Sequence, residues 1–324
     1  MKKFLIAFCV VFSCSLFAAP YVTNVVAKQR YPWGIVDISC DVKGIEESRE
    51  IGFSIEAVLP DSGEVKKASA VRFRGSGNTN TDELIAANDG NYRFVWNANA
   101  DLGSAHYTNI VVRIGIYKIP KKVQLWEDGP YWADMNIGAN EPWESGYYFW
   151  WGDTVGYKCE NDKWVASDGS SSNFSFVESN TPTYGKDIST LKNEGWITAE
   201  GVLAPEHDAA KKYCGGDWRM PTYQEFADLN DKCDWSWTTM NGVAGYVVRG
   251  RGDYASKSIF LPCAGFGAKP WLYWDGSRGY YWSSVPGSDS NYAWGLYFLS
   301  GCHCTDSNYR YYGQSVRPLQ GVTK

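Results

Sequence analysis

The sequence predicts two domains, an all-β sandwich at the N-terminus followed by an α+β domain. The chain has 324 residues, whereas a single domain usually takes roughly 100–200. Between residues 20 and 118, apolar and polar residues alternate with a period of two, which indicates strands with one buried face. From residue 123 onward Gly, Trp and Tyr dominate, and two helical segments appear. We predict that the polar segment 119–122 links the two domains.

The first 19 residues are predicted to be a signal peptide. Lys2 and Lys3 precede an apolar run that ends at Phe17 and is too short to span a bilayer as a helix, and two alanines follow. Lipidation at Cys14 is the alternative reading of this segment. We therefore expect an exported protein that is periplasmic, at the cell surface or extracellular, with no transmembrane segment.

Charge and cysteine content limit the partners. The net charge is −5, and removal of the two signal-peptide lysines makes it −7, so we expect no nucleic-acid partner. Seven of the nine cysteines lie after residue 19, and an odd number leaves one thiol unpaired or bridged to another chain. Cys302 and Cys304 would point to the same face of a strand, which is poor geometry for bridging each other.

Four sets of alternating apolar residues predict the strands of the first domain. They are Val36, Ile38, Cys40 and Val42; Ile51, Phe53, Ile55, Ala57 and Leu59; Tyr92, Phe94 and Trp96; and Ile110, Val112, Ile114 and Ile116. Turn-forming residues separate these sets at positions 60–63, 75–78 and 88–90. This spacing predicts a small sandwich of immunoglobulin or fibronectin type, which would space or present another domain.

The second domain shows two helix signals. One helix is predicted to begin at Pro205 and to run through Lys211, ending before Gly215. The other begins at Thr222, with Glu225 completing a capping box. The stretch between residues 147 and 201 lacks periodicity and is predicted to be a surface loop.

A series of Gly-rich and aromatic motifs follows the linker in a fixed order. They read YWA at 131–133, NIGA at 136–139, GYYFWWGD at 146–153, DAA at 208–210, GGDWRMPT at 215–222, CDWSWTT at 233–239, SIFLP at 258–262, AG at 264–265, GYYWSS at 279–284, YYG at 311–313 and SVRP at 315–318. Together they resemble the major paralogous domain family, first named from Fibrobacter. The resemblance implies a C-type-lectin-like fold for residues 123–319, with 320–324 as a tail, and a more distant similarity to formylglycine-generating enzymes. Residues 30–38 are similar to a β-sandwich module that precedes such domains in related bacteria.

The motifs do not predict a calcium or transition-metal site. C-type lectins bind sugars through calcium with a Glu-Pro-Asn or Gln-Pro-Asp motif, whereas this chain has Glu141-Pro142-Trp143, without the amide. The oxygen-rich segment 97–103 has the wrong register for a calcium loop, and we predict a hairpin turn there. Cys302-His303-Cys304 has no second ligand pair at zinc spacing and does not match the copper position of formylglycine-generating enzymes. We expect no metal, no cofactor and no enzymatic activity.

Functional content concentrates between residues 271 and 314. Tyr and Trp mixed with Ser, Asn and Asp is the composition of a binding surface. The predicted ligand-binding residues are Trp271, Tyr273, Trp274, Trp294, Tyr297, Asp306, Tyr309, Tyr311 and Tyr312. Ala293, Leu296 and Phe298 are the predicted inward positions, and four other tryptophans, Trp218, Trp235, Trp237 and Trp282, are predicted to pack in the core.

The leading functional hypothesis is recognition of a protein or glycan ligand by this aromatic surface, with the sandwich as a stalk. The alternatives are a structural envelope or matrix component and a metal-dependent oxidase of formylglycine-generating type.

A further hypothesis concerns residues 302–312, whose Tyr, Cys, His, Asp, Ser and Asn side chains are those that adenine randomisation of Asn codons produces. Retroelements diversify some lectin-like domains in this way. This hypothesis predicts that the variable positions are exposed and that His303 is isolated and binds nothing. It also predicts that the scaffold fixes Arg310, Gly313, Val316 and Arg317. A near-copy of the coding segment beside a reverse-transcriptase gene is required; drift of an ordinary paralogue is the alternative.

Overall fold

The computed structural model describes residues 20–30, 34–45, 49–59, 62–73, 84–103 and 110–321. The chain divides into two compact units, one ending at Ile119 and one beginning at Pro120. Strands predominate in both units, and the helices are short. The predicted signal peptide and the turn at 75–78 lie outside the described residues. Within the described ranges, no helix is long and apolar enough to cross a membrane.

The first unit consists of two antiparallel sheets. Its elements are β1 (Tyr21–Arg30), β2 (Ile35–Lys43), β3 (Ile51–Val58), β4 (Val65–Lys67), β5 (Val71–Phe73), β6 (Ile85–Ala86), β7 (Gly90–Asn97), α1 (Ala98–Leu102) and β8 (Val111–Lys118). One sheet has the order β1-β2-β7-β5, and in the other β3 pairs with β4, β6 and β8.

Alternation in the sequence corresponds to burial in this unit, as predicted. Along β2 every second residue is buried, from Val36 to Val42. Buried side chains of both sheets form one hydrophobic cluster. In it the Phe53 ring of β3 lies 5.0 Å from the Phe94 ring of β7 and 6.2 Å from the Phe73 ring of β5. Apolar residues at period two therefore bring the two sheets together around one core.

The hairpin turn predicted after Trp96 is wrong, because residues 98–102 form the short helix α1. Asp101 belongs to the oxygen-rich segment 97–103. Its carboxylate accepts hydrogen bonds from the Ser69 backbone N–H (2.9 Å) and from Trp96 Nε1 (2.6 Å). These donors lower the pKa of Asp101 against the opposing effect of its partial burial. The carboxylate therefore fixes the helix to its own unit.

The second unit contains thirteen strands and three α-helices among its described residues. They are β9 (Lys122–Gln124), β10 (Tyr131–Ala133), β11 (Tyr157–Glu160), β12 (Lys163–Ala166), α2 (Ile188–Asn193), α3 (Ala209–Cys214), α4 (Tyr223–Lys232), β13 (Asp234–Met240), β14 (Val243–Arg249), β15 (Ser258–Pro262), β16 (Phe266–Ala268), β17 (Trp271–Tyr273), β18 (Arg278–Pro286), β19 (Tyr292–Leu299), β20 (Cys302–Tyr309) and β21 (Leu319–Gln320). Three single-turn 3₁₀ helices span Glu178–Asn180, Pro205–His207 and Gly252–Tyr254. The sheets have the orders β21-β10-β9, β11-β12, β13-β14-β15, β16-β17 and β18-β19-β20.

Both ends of the second unit differ from the prediction. β9 begins at Lys122, and Lys121 already bonds to Asp134 through both its backbone N–H and its carbonyl, so most of the predicted linker belongs to the unit. At the other end, Gln320 pairs with Tyr131, so the predicted tail begins inside a sheet. β9 and β21 are too short to show apolar alternation, and the sequence pattern therefore did not predict where the unit begins and ends.

The helix predicted from Pro205 is interrupted at Asp208, which is extended (φ −94°, ψ 110°) and caps α3 by accepting the Lys211 N–H at 3.0 Å. Asp208 is buried and also accepts the Met220 N–H at 2.9 Å, so the break joins two segments of chain. The capping box of Thr222 and Glu225 is confirmed at the start of α4.

The predicted surface loop at 147–201 is wrong, because this stretch contains β11, β12 and α2 and contributes to the core. Trp164, Phe176 and Leu191 within it are fully buried. Tyr157 stacks on Phe174 with ring centroids 3.8 Å apart. Widely spaced aromatic anchors, rather than a periodic stripe, bury this segment, and periodicity therefore could not find it.

Two buried arginines hold the C-terminal segment in place. Arg317 donates to Asn136 Oδ1 (2.8 Å), Ala133 O (3.0 Å) and Phe260 O (2.8 Å). Arg310 donates to three carbonyls, and its guanidinium lies 5.0 Å from the Trp151 ring. Gly313 and Val316 are also buried, in agreement with a fixed scaffold at these four positions.

The four predicted core tryptophans all pack against apolar clusters or lie buried. Trp218 and Trp282 are buried, whereas Trp235 and Trp237 are half-buried against the cluster that contains α4.

Candidate binding surface

The three-stranded sheet β18-β19-β20 has one covered and one open face. On the covered face, Tyr281, Leu296 and Phe298 are buried in the same cluster as Phe226 and Leu229 of α4. The predicted inward positions Ala293, Leu296 and Phe298 are all buried, as predicted.

The opposite face carries residues one position out of phase with Leu296 and Phe298. Ala293, which is in phase with Tyr297, is buried in a separate cluster with Trp282 and Val316. Tyr280 and Tyr297 are paired across β18 and β19 with ring centroids 5.0 Å apart. The strand register then places Cys304 beside Tyr297, with Cys302 and Asp306 two residues away on either side. Cys302, Cys304 and Asp306 are all exposed. We call Tyr280, Tyr297, Cys302, Cys304 and Asp306 the open face, in which the Tyr280 side chain itself is buried.

A hairpin of exposed aromatics adjoins the open face. Phe266 of β16 packs on Tyr280 (5.0 Å) and on its cross-strand partner Tyr273 of β17 (5.6 Å). Trp271, Tyr273 and Trp274 are 54%, 39% and 50% exposed. Trp271 and Tyr273 are two residues apart and so share one side of the hairpin. Phe266 thus joins the hairpin to the sheet.

Trp274 has an unusual backbone and a fixed ring. Its φ is +61°, a left-handed conformation that is costly for a bulky residue and that is found preferentially at functional sites. The Arg278 guanidinium lies 4.0 Å from the Trp274 ring centroid, a cation–π contact. A hydrogen bond to Tyr280 raises the pKa of Arg278. One indole is therefore held in an exposed orientation by a cation that also contacts the open face.

Further tyrosines extend the aromatic contacts from Phe266. The Tyr312 ring lies 4.6 Å from Phe266 and also packs on Tyr309 and Tyr311. Tyr309 packs on Tyr292 at 4.4 Å, with a hydrogen bond between their hydroxyls that raises the pKa of Tyr292 to about 12. A continuous series of ring contacts therefore links Tyr273, Tyr297, Tyr309, Tyr311 and Tyr312.

Of the nine predicted binding residues, Trp294 and Tyr309 face the covered side by strand alternation, as Leu296 does. Tyr309 still contacts Tyr311 and Tyr312, whereas the Trp294 indole stacks on Tyr223 of α4 at 5.4 Å. There it lines a cavity of about 230 Å³ with Gly287, Ser288, Asp289, Tyr292 and Ser307. Conversely, sequence reasoning missed Phe266, Arg278 and Tyr280, although Tyr280 lies in the motif at 279–284.

His303 is not isolated, contrary to the prediction. Its Nδ1 lies 2.9 Å from Asn230 Oδ1, and its ring stacks on Trp235 at 4.3 Å. His303 therefore points to the covered face, away from Cys302 and Cys304. In the ranges that the structure describes, no group of three or more His, Cys, Asp and Glu side chains is arranged to hold a metal ion.

The unit also has a larger cleft, of about 650 Å³, away from the open face. Its walls include Tyr131, Trp218, Arg219 and Gln320, near the β21-β10 pair. Asp208, which also lines the cleft, has a raised pKa because it is buried, and its carboxylate is engaged in capping α3.

A family model described as a domain of unknown function (DUF8237) matches residues 234–319. The matched segment contains the hairpin, the open face and both buried arginines. No curated protein and no solved structure matches the chain.

Proposed function

We propose that the chain is an exported recognition protein that binds a protein or glycan ligand through the open face and the adjoining hairpin. The observation that carries the proposal is the exposure of three large aromatic residues, Trp271, Tyr273 and Trp274, on one hairpin. Covering roughly 100 Å² of each would contribute about 2–3 kcal/mol per residue. That gain requires a ligand, since in the chain alone these side chains face solvent.

Preorganisation supports the proposal. Trp274 is held by Arg278, and Tyr273 by Phe266, so little side-chain entropy is lost on binding. Tyrosine hydroxyls and the exposed Asp306 supply polar contacts beside the apolar rings. Rigid aromatic anchors mixed with adaptable polar groups are typical of binding surfaces.

The rest of the chain fits the same proposal. The first unit would be an immunoglobulin-like sandwich that acts as a stalk, which its two sheets around one core support. The second would be a C-type-lectin-like domain, which the order of its motifs supports. Export rests on the apolar segment before residue 19.

The test is a glycan and protein array probed with the purified chain and with a Trp271→Ala/Trp274→Ala variant. The matched control is Tyr21→Ala, because Tyr21 is 43% exposed but belongs to the first unit. We expect the control to bind every ligand of the parent chain with unchanged affinity. The double variant should bind the same ligands at least tenfold more weakly. Equal binding by the double variant would refute the proposal. A chain that captures nothing and sediments with the cell wall would favour a structural envelope component.

A further inference from the structure

β20 forms an open edge of the sheet that carries the open face. It lies at the end of the order β18-β19-β20, and among the described residues no further strand pairs with it. The edge strands of protein sheets are usually protected against pairing with another chain by Lys, Pro or a β-bulge. The eight residues of β20, CHCTDSNY, include neither Lys nor Pro, and the β19–β20 register is continuous.

The hydrogen-bond phase shows which residues of β20 direct their backbone groups away from β19. Arg310 N–H donates to Asn291 O at 2.9 Å, which extends the Tyr292↔Tyr309 register by one pair. Hydrogen-bonded pairs alternate in an antiparallel ladder, so residues 302, 304, 306 and 308 direct their backbone groups toward β19. His303, Thr305 and Ser307 direct theirs outward. The Asp306 carboxylate accepts the Ser307 N–H at 2.8 Å, as an outward N–H allows.

We propose that the β20 edge pairs antiparallel with β20 of a second copy of this chain, about a two-fold axis at His303. In this register Cys302 of one copy lies opposite Cys304 of the other, twice by symmetry. Both pairs fall at non-hydrogen-bonded positions, where Cα atoms are roughly 4.5 Å apart, a separation that a disulfide spans. A register centred on Thr305 would instead place Cys304 opposite the Asp306 carboxylate.

The two cysteines favour a second copy over another partner. Both are exposed, they interact with each other on one face, and their two-residue spacing disfavours a bridge within the chain. Across the two-fold axis, the same spacing places Cys302 of each copy opposite Cys304 of the other.

Each bridge forms by thiol–disulfide exchange with a low-molecular-weight disulfide such as glutathione disulfide. A cysteine thiolate attacks one sulfur of the small disulfide and releases one small thiol, which leaves a mixed disulfide. The partner cysteine thiolate then attacks the protein sulfur and releases the second small thiol. Two protein thiols are oxidised, and one small disulfide is reduced to two thiols.

The dimer would double the binding surface. A two-fold axis of antiparallel strands is perpendicular to the sheet, so both open faces would lie on one side of a six-stranded sheet. This consequence rests on the proposed function, since two linked sites raise avidity without new contacts. The pairing itself does not depend on a ligand.

The experiment measures mass by sedimentation and cross-linking on non-reducing gels, with the purified chain in glutathione disulfide. We expect a covalent dimer from the parent chain and from the control Cys159→Ser, which is half-buried and outside β20. Cys302→Ser and Cys304→Ser should each remain monomeric on the gel. An equimolar mixture of the two should cross-link, because one Cys304–Cys302 pair is complete in the heterodimer.

Thr305→Pro tests the edge itself. It removes an outward N–H without touching the β19 ladder, so the melting temperature should stay within a few degrees while the dimer is lost. A parent chain that stays monomeric, single variants that cross-link like the parent, or a mixture that does not cross-link would each overturn the proposal. Ligand capture by monomeric Thr305→Pro would leave the proposed function standing even so.

Discussion

Replacing Arg317 by methionine should destabilise the second unit far more than replacing a surface arginine. Arg317 is fully buried, and its guanidinium donates to Asn136 Oδ1 at 2.8 Å, Ala133 O at 3.0 Å and Phe260 O at 2.8 Å. Burial lowers the pKa of Arg317, although the charge of Asp134 opposes that effect. Methionine fills much of the same space but donates nothing, so three buried acceptors would lose their donor.

The magnitude follows from those contacts. A buried acceptor left without a donor costs about 1–3 kcal/mol, and loss of the buried cation offsets part of the sum. The net cost should resemble that of breaking a buried charged network, about 3–5 kcal/mol. For a unit of this size, that lowers the melting temperature by roughly 6–20 °C. Arg317→Lys should destabilise the unit less than Arg317→Met does, but it should still be costly, because an ammonium cannot reach all three acceptors at once.

Thermal and urea unfolding followed by near-ultraviolet circular dichroism would measure the change, because the second unit contains most of the tryptophans. The matched control is Arg251→Met, which breaks an exposed ion pair with Asp234 (2.7 Å) and should cost only about 1 kcal/mol or less. A cost for Arg317→Met within about 1 kcal/mol of the control would show that the three buried acceptors do not depend on the guanidinium.

Three further predictions concern pH, capping and domain structure. Burial raises the pKa of Asp153 to about 6, so between its usual value near 3.8 and pH 6 the folded state holds a proton that the unfolded state has lost. The stability that this group contributes therefore falls as pH rises through that window. Asp153→Asn should make the melting temperature less dependent on pH there than it is in the parent chain. An unchanged dependence would contradict this assignment. Thr222→Ala should cost about 1 kcal/mol in urea unfolding by removing the α4 cap, and no loss would show that the cap is dispensable. Residues 120–324 expressed alone should give a folded domain with a strong near-ultraviolet signal, and a molten fragment would show that the unit boundary is wrong.

Regular alternation made the first unit predictable. Strand β2 places every second residue in the core, and the same rule applies along β3, so the sequence alone locates buried positions there. The capping box at Thr222 is equally local, since its donor and acceptor lie three residues apart. The break at Asp208 was not predictable, because its carboxylate is fixed by the distant Met220 N–H.

The candidate surface was predictable in composition but not in arrangement. An exposed tryptophan and a packed one look alike in sequence, and only register and neighbours separate Trp274 from Trp294. A bulge between Trp282 and Pro286 shifts the β18–β19 register, which no local pattern reveals. His303 likewise looked isolated because its partner Asn230 lies 73 residues away.

Ligand binding by the exposed hairpin and the open face can be separated from folding by measuring affinity and stability in the same variant. Tyr311 packs on Tyr184, so the test uses Trp271→Ala/Trp274→Ala, which removes two half-exposed side chains. With a ligand identified on the array, we predict that this variant loses affinity at least tenfold by titration calorimetry while its melting temperature stays within a few degrees of the parent. Unchanged affinity, or loss of affinity only together with unfolding, would contradict the claim.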